Sequence, residues 1–258
     1  MLHLLYEFGK SKKDGRVFLN KNVLCVIPAR SGSQRILKKN LSLIEGKTLV
    51  RLAYDAAISS QVFSDIVVST DCLDMADGLP WVKRPLELCQ SNSDISEAIK
   101  HALITKEAEE GKIYDFVVCL QPAIPLRNGK VIKNLVSQVI ENDCKGGLTG
   151  VSVVPWLWSA KDGHAYNSWY PNPYPRSQEF VDNSFWQEIN TVQVSERSVC
   201  IGGARWGLPL YILLLPSYAV LDIDHPEDLL RAQAVFYLLN EALMNEELNE
   251  GFIVKNIN

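Results

Sequence analysis

The sequence predicts an α/β fold, a doubly wound and mostly parallel sheet with helices on both faces. Three observations carry that expectation. Short runs that are apolar throughout, such as Val23-Leu24-Cys25-Val26-Ile27 and Phe116-Val117-Val118-Cys119, read as strands buried on both faces. They alternate with segments whose apolar residues recur at helical spacing, the signature of parallel strands joined by crossovers. The first run ends in Pro28 and a small-residue basic loop, the position where open α/β sheets hold ligands.

The elements follow in order. Residues 1–21 are polar, with Lys10, Lys12, Lys13 and Asp14 close together, and read as an N-terminal extension outside the main fold. Residues 22–258 read as one domain. Val23–Ile27 is the first strand, stopped by Pro28, which has no N–H for a ladder. Lys47–Ser59 is helical by the spacing of Leu49, Val50, Leu52, Ala53, Ala56 and Ala57. Ile66–Ser69 and Trp81–Lys83 are strands, and Ile95–Glu109 is a helix capped by Ser93 or Asp94. Asp115–Leu120 is a strand. Gly129–Glu141 is a helix that aligns Val131, Ile132, Leu135, Val136 and Val139 on one face. Leu148–Pro155, Asn190–Val194, Tyr211–Leu215 and Val220–Asp224 read as further strands. A closing helix runs from Pro226, a residue suited to a first turn, to about Glu247.

Residues 156–188 break the pattern. Trp156, Trp158, Tyr166, Trp169, Tyr170 and Tyr174 are interleaved with Pro171, Pro173 and Pro175, and no helical period survives. Compact domains seldom carry so long an irregular stretch without a use for it, and its aromatic, Pro-rich character suggests an interface. A twofold homodimer would bury the same patch on both subunits.

Composition excludes several classes. The 258 residues are 47% hydrophobic and 22% charged with a net charge of −4, ordinary for a globular domain and unsuited to general nucleic-acid binding. The apolar runs are too short to cross a bilayer, and the N-terminal Leu2–Leu5 is too short for a cleavable signal. The six cysteines form no Cys-x-x-Cys pair and read as reduced thiols of a cytoplasmic protein. The four histidines are scattered and suggest no zinc site.

Two stretches carry chemistry. In Ala29-Arg30-Ser31-Gly32-Ser33-Gln34-Arg35, followed by Lys39-Asn40, backbone N–H groups freed by Gly32 can cradle phosphate oxygens while Arg30, Arg35 and Lys39 neutralise them. The loop is neither a Walker A nor a Gly-x-Gly-x-x-Gly motif, and a solvated basic turn is the plain alternative. In Asp222-Ile223-Asp224, residues two apart on a strand share a face. Two carboxylates there suit Mg²⁺, which takes one or two carboxylates and fills its shell with substrate phosphates. Alternatively, Asp224 flanks the following helix and Asp222 is paired structurally.

Ile27-Pro28-Ala29-Arg30-Ser31-Gly32-Ser33 with Lys39-Asn40 resembles the opening motif of the acylneuraminate cytidylyltransferase family. The resemblance runs from Val23 to the helix after Asp228. Leu120-Gln121-Pro122-Ala123-Ile124-Pro125-Leu126-Arg127 resembles that family's Leu-Gln-Pro-Thr-Ser-Pro-Leu-Arg, with Ala123 and Ile124 in place of two hydroxyl residues. Val68-Ser69-Thr70-Asp71 matches too, with Asp71 either facing the site or capping a helix. Pro175-Arg176-Ser177-Gln178 resembles a segment of the family's dimerisation region, and Asn190-Thr191 stands where the family has Asn-Gly.

The resemblance implies a nucleotide-diphospho-sugar transferase-like, Rossmann-like fold. It also implies transfer of CMP from CTP to an acidic 2-keto sugar, such as a sialic or related nonulosonic acid, with release of pyrophosphate. Arg30, Ser33 and Lys39 would hold the triphosphate. Asp222 and Asp224 would hold Mg²⁺ or Mn²⁺. Ala29, Gly32, Asn40, Arg84, Ser93, Gln121 and Gln178 would line the substrate site, with Gln121 on the sugar and Arg176 reaching into the partner's site. A nucleotide-sugar glycosyltransferase of similar fold would also use paired aspartates, and a nucleotide-binding relative without turnover is a third reading, kept open by Ala123, Ile124 and Thr191.

Overall fold

The computed structural model of the chain describes residues 4–8, 21–32, 36–153, 158–161, 164–167, 186–245 and 251–256. Its strands are β1 (Leu4–Phe8), β2 (Val23–Pro28), β3 (Leu43–Ile44), β4 (Lys47–Thr48), β5 (Asp65–Thr70), β6 (Trp81–Lys83), β7 (Phe116–Cys119), β8 (Gly146–Ser152), β9 (Trp158–Lys161), β10 (His164–Asn167), β11 (Trp186–Glu196), β12 (Leu210–Leu214) and β13 (Gly251–Asn256). The helices are α1 (Leu49–Ser60), α2 (Ile95–Glu110), α3 (Gly129–Glu141), α4 (Arg197–Ile201) and α5 (Pro226–Asn245). Nine strands form one sheet in the order β1-β13-β12-β8-β11-β7-β2-β5-β6.

The sheet is mostly parallel, as expected. β7, β2, β5 and β6 are mutually parallel, and β8 pairs parallel with β12. β11 runs antiparallel between β7 and β8. The double winding is read directly from β2. Val23, Cys25 and Ile27 pack with α1 and α3 on one face, while Leu24 and Val26 pack with α2 and Cys200 of α4 on the other. All five residues have no exposed surface, which is why this strand lacks the alternation of a half-solvated sheet. Strand order reverses at β2, since the chain moves outward to β5 and β6 and then returns to β7 on β2's other side. Ligand crevices form at such reversals, beyond the strands' C-terminal ends.

Local chemistry sets the helix limits. Thr48 caps α1 through its hydroxyl, which accepts from Arg51 N–H at 3.0 Å. Asp94, not Ser93, caps α2, accepting from Ser96 N–H at 2.9 Å. At α5, Pro226 occupies the first turn, and the Asp228 carboxylate reaches back to the N–H groups of His225 (2.8 Å) and Asp224 (3.1 Å), half of a capping box.

Three expectations are corrected. Residues 220–224 are not a strand; they follow a 3₁₀ turn at Ser217–Ala219 without joining the sheet. Their alternation has another cause, because Ile223 and Leu221 pack with Ile44, Leu49 and Ala232 in a satellite cluster. The N-terminal extension is not wholly outside the fold, since β1 pairs antiparallel with β13, which in turn pairs with β12. The short run Leu4-Leu5-Tyr6-Glu7-Phe8 is the local signal for that strand, outweighed by the polar, Lys-rich remainder of residues 1–21. The aromatic stretch is not irregular throughout, because β9 and β10 form a two-stranded hairpin inside it. Most of 156–188 lies outside the described residues.

Helix α3 starts hard against the end of α1. A Cβ on Gly129 would stand 2.5 Å from Ser59 Oγ and 2.6 Å from both Ser59 C and Ser60 N. Backbone atoms cannot step aside cheaply, so Gly129→Ala is expected to cost about 1–3 kcal/mol, as overpacking usually does. Thermal unfolding should show a midpoint lowered by roughly 2–10 °C. Gly32→Ala, where an added Cβ meets nothing within 4 Å, should leave the midpoint unchanged.

Candidate active site

The basic loop leaves β2 at the strand-order reversal, and the protein fixes it at both ends. Ala29 is fully buried and its N–H donates to Ser69 O on β5 at 3.0 Å. Asp71, just past the end of β5, takes the Ser31 N–H on Oδ1 at 2.8 Å and the Ser31 hydroxyl on Oδ2 at 2.5 Å. Arg30 donates from Nη1 to Cys89 O at 2.9 Å. Asn40 is buried and its side-chain amide donates to Arg30 O at 3.2 Å, so it closes the loop rather than facing solvent. Gly32 is exposed, with no positive φ and no neighbour to crowd a Cβ. The protein alone does not require glycine there, but a ligand drawn against the backbone would. Ser33 and Arg35 lie outside the described residues.

Asp71 was the ambiguous residue of its motif, and the geometry makes it the latch of this loop. Burial opposes its ionisation, but the Ser31 hydroxyl and N–H, with the Arg84 charge nearby, outweigh that and hold its carboxyl below the usual range. Arg84 is only 4% exposed and spends two donors on Ser69, Nε to Oγ at 3.1 Å and Nη2 to the carbonyl. It therefore braces the end of β5 as well as approaching the crevice. Ser93 donates its hydroxyl to Glu87 O at 2.7 Å, within its own loop.

Gln121 stands at the C-terminal end of β7, half-buried. The following loop is tied down by Arg127, whose Nη2 donates to the carbonyls of Gln121 and Ile124. Burial pulls the Arg127 guanidinium down to about 10. Arg127 was visible as the last residue of its motif, yet its role as an internal tie depends on burial that no spacing reveals. Ala123, one of the two altered positions, contributes only its backbone, accepting from Ile223 N–H at 2.9 Å.

That bond brings in the aspartate pair. Ile223 is fully buried, Asp222 is exposed, and Asp224 is half-exposed, so the two aspartates flank one apolar pin in sequence. Asp224 Oδ1 accepts from Lys39 Nζ at 3.2 Å, across 185 residues of sequence. With side chains 17% and 42% exposed, such a pair contributes about 0–1 kcal/mol to stability. The contact is therefore too weak to be explained as a fold-holding device. Among the described residues no group of three or more His, Cys, Asp or Glu side chains forms a ready metal cage. The donor set fits a hard divalent ion that takes two carboxylate oxygens and completes its shell from phosphates and water, as Mg²⁺ does. Arg176 and Gln178 lie outside the described residues.

Strand β11 borders the crevice on the far side of β7. Its register against β8 slips between Ile189 and Gln193, a bulge, and Thr149 fills the slip by donating its hydroxyl to Ile189 O at 2.5 Å. Thr191 is fully buried there and its hydroxyl has no partner, at a cost of about 1–3 kcal/mol.

The Asp71 latch predicts a pH dependence. Its carboxyl is lowered in the folded state, so the latch is fully present above the ordinary value of about 3.9 and is lost as pH falls through the lowered native value. The latch's contribution to nucleotide binding, read as the difference between wild type and Asp71→Ala in calorimetry, should hold constant down to about pH 4 and disappear below it. Binding that is unaffected by this substitution would remove the latch.

Residues 24–161 match the family model described as Cytidylyltransferase. The CMP-N,N'-diacetyllegionaminic acid synthase of Legionella pneumophila is 30% identical over 238 residues, 86% of this chain and 99% of the relative. The pseudaminic acid cytidylyltransferase of Campylobacter jejuni is 33% identical over 129 residues, 47% of this chain and 55% of the relative. Two solved structures share the fold at low identity. A CMP:2-keto-3-deoxy-manno-octonic acid synthetase complexed with CTP has a TM-score of 0.58 at 17% identity, covering 84% of this chain and 99% of its own. The 4-diphosphocytidyl-2C-methyl-D-erythritol synthase of Anaerococcus prevotii has a TM-score of 0.61 at 12% identity, covering 87% and 99%. From the basic loop of β2 to the hairpin of β9 the family model follows this chain, and the chain belongs to the cytidylyltransferase family.

Proposed function

We propose that the protein transfers CMP from CTP to an acidic 2-keto sugar, a nonulosonic acid of the sialic, legionaminic or pseudaminic type, releasing pyrophosphate. The observation that carries this reading is the meeting of Lys39 with Asp224 beneath the Gln121 loop. It joins a triphosphate-type basic loop to a carboxylate pair at the C-terminal ends of the same parallel strands. The family and the named relatives support the reaction class, and the range of sugar acids among those relatives leaves the choice within the nonulosonic acids to the assay.

In this reading the backbone around Gly32 approaches the phosphates, with Arg30, Ser33 and Lys39 supplying hydrogen bonds and charge. Arg84 and Ser93 border the nucleoside, with Ala29 and Asn40 shaping the loop. Gln121 orients the sugar so that its anomeric hydroxyl faces the α-phosphate in line with the pyrophosphate leaving group. Asp222 and Asp224 would hold Mg²⁺ or Mn²⁺, which supplies charge neutralisation at the reacting phosphate when bound. Catalysis is then mainly positioning and electrostatic stabilisation. Lys39 leaves Asp224 for the phosphates as the nucleotide enters, since a multiply charged anion outcompetes a half-exposed carboxylate.

The reading extends to assembly and place. Residues 22–258 act as one catalytic domain, and the 156–188 segment serves as the homodimer contact, with Arg176 and Gln178 turned toward the neighbouring site. Work in the cytoplasm, where CTP is made, suits six cysteines that are all free thiols. No helix among the described residues is long and apolar enough to cross a membrane.

Pyrophosphate release from CTP across a panel of 2-keto sugar acids tests the reaction. One or more acids should support turnover, and UTP or GTP should substitute poorly. Asp222→Asn and Asp224→Asn should each cut the rate by about 10²-fold or more, in line with losing charge stabilisation at the reacting centre, with thermal unfolding little changed. Normal rates in both variants would withdraw the metal assignment. Lack of release with every acid would withdraw the function.

A further inference from the structure

A small cavity of about 20 Å³ lies beneath the first turn of α2, enclosed by α2, β7, β11, α4 and Arg205. None of the residues assigned above to the nucleotide, the sugar or the metal lines it. Much of its wall is apolar, with Ile95, Ile99 and Val117 beside the thiols of Cys119 and Cys200. Burial pushes both thiols up, Cys119 to about 12 and Cys200 to about 11, so they stay neutral and bond only weakly.

Two polar atoms interrupt this lining. Ser96 is 5% exposed, and its Oγ has no hydrogen-bond partner in the protein. The Ser96 N–H is already engaged, donating to Asp94 Oδ1 at 2.9 Å. The hydroxyl stands close enough to that carboxylate to help lower it, after the N–H, without making a direct bond. The second atom is Arg205 Nε, which is buried and unpartnered. Arg205 is not free to turn it elsewhere. Its Nη2 donates to Asn190 Oδ1 at 2.6 Å, and its carbonyl accepts from the Ser195 hydroxyl at 2.5 Å and from the Gln193 amide. A buried hydroxyl and a buried guanidinium N–H seldom go unpaired. A water needs a space of about 10–15 Å³ and two to four polar partners, and this cavity meets both conditions. Gln193 Oε1, on the same wall, is engaged only at 3.4 Å by Arg205 Nη2 and supplies a third partner.

We propose that the cavity is a binding site for one buried water, which accepts from Arg205 Nε–H, shares a hydrogen bond with Ser96 Oγ and donates to Gln193 Oε1. The water ties the first turn of α2 to β11 and to the segment that carries Arg205. Arg205 and the start of α2 would also attract a small anion. Asp94 and Gln193 Oε1 oppose one, because both are acceptors, and a water can donate to them where a halide cannot. The inference does not rest on the reaction, so it stands or falls apart from the cytidylyltransferase reading.

Diffraction from crystals of the full chain grown with sodium bromide tests it, at a resolution that shows ordered solvent. The wild type should show one isolated peak within about 2.7–3.2 Å of both Ser96 Oγ and Arg205 Nε, with no bromide anomalous signal. Ser96→Val, which removes the hydroxyl and fills the space with methyl groups, should lose the peak. In solution, oxygen-17 relaxation dispersion should count one long-lived water fewer in Ser96→Val than in the wild type. The wild-type crystal decides the matter by itself if the variant does not fold. A bromide peak in the cavity would make the site an anion site and overturn the proposal. An empty wild-type cavity, a direct bond from either orphaned atom to another protein group, or a peak that persists in Ser96→Val would overturn it too, and so would equal water counts in solution.

Discussion

The site depends on one backbone hydrogen bond, from Ile223 N–H to Ala123 O at 2.9 Å. Ile223 is the centre of the closing motif, and its side chain is sealed among Ile44, Leu49 and Ala232. The bond and the seal together draw residues 222–224 from the far end of the chain to the loop after β7. Only then does Lys39 of the segment after the basic loop find Asp224. The pin is backbone and apolar, so it does not compete with the charged chemistry on either side of it. This also explains how the loop tolerates Ala123 and Ile124. Ala123 offers a carbonyl, which any residue has, and Ile124 is buried behind Arg127's grip on the loop carbonyls.

A second constraint is that the polar groups nearest the strands' ends are mostly occupied by one another. Asp71 holds Ser31, Arg84 holds Ser69, Asn40 holds Arg30 O, and Arg127 holds Gln121 O. These contacts fix backbone, and they leave Gly32 and the Gln121 side chain to face a substrate, with Lys39 held only by its weak, partly exposed pair with Asp224. A site of this kind is rigid where it is buried and adjustable where it is exposed, which suits a reaction in which the protein chiefly orients two reactants.

Much of this was legible in the sequence. The buried parallel strands announced themselves as unbroken apolar runs, because burial on both faces removes alternation. Helix α3 was legible to within about a residue, since Val131, Leu135 and Val139 share a face, and the structure adds the cap at Asn128. The same logic misread 220–224, where apolar alternation came from a satellite cluster and not from a ladder. It also missed β1 and β13, whose apolar runs are short and whose pairing is between distant parts of the chain. In the site, the basic loop and the aspartates were found because charge and glycine are conspicuous. Asp71 and Arg127 were harder, since their roles come from contacts 40 and 6 residues apart that only the fold creates.

The central claim is that the opening and closing motifs form a single nucleotide–metal site. Anomalous diffraction from crystals grown with CTP and Mn²⁺ tests it most directly. The account predicts one Mn²⁺ peak between Asp222, Asp224 and the nucleotide's phosphates, with the triphosphate against the backbone at Gly32 and Lys39 withdrawn from Asp224. A metal bound away from both aspartates, or a triphosphate that leaves the loop of β2 empty, would contradict it.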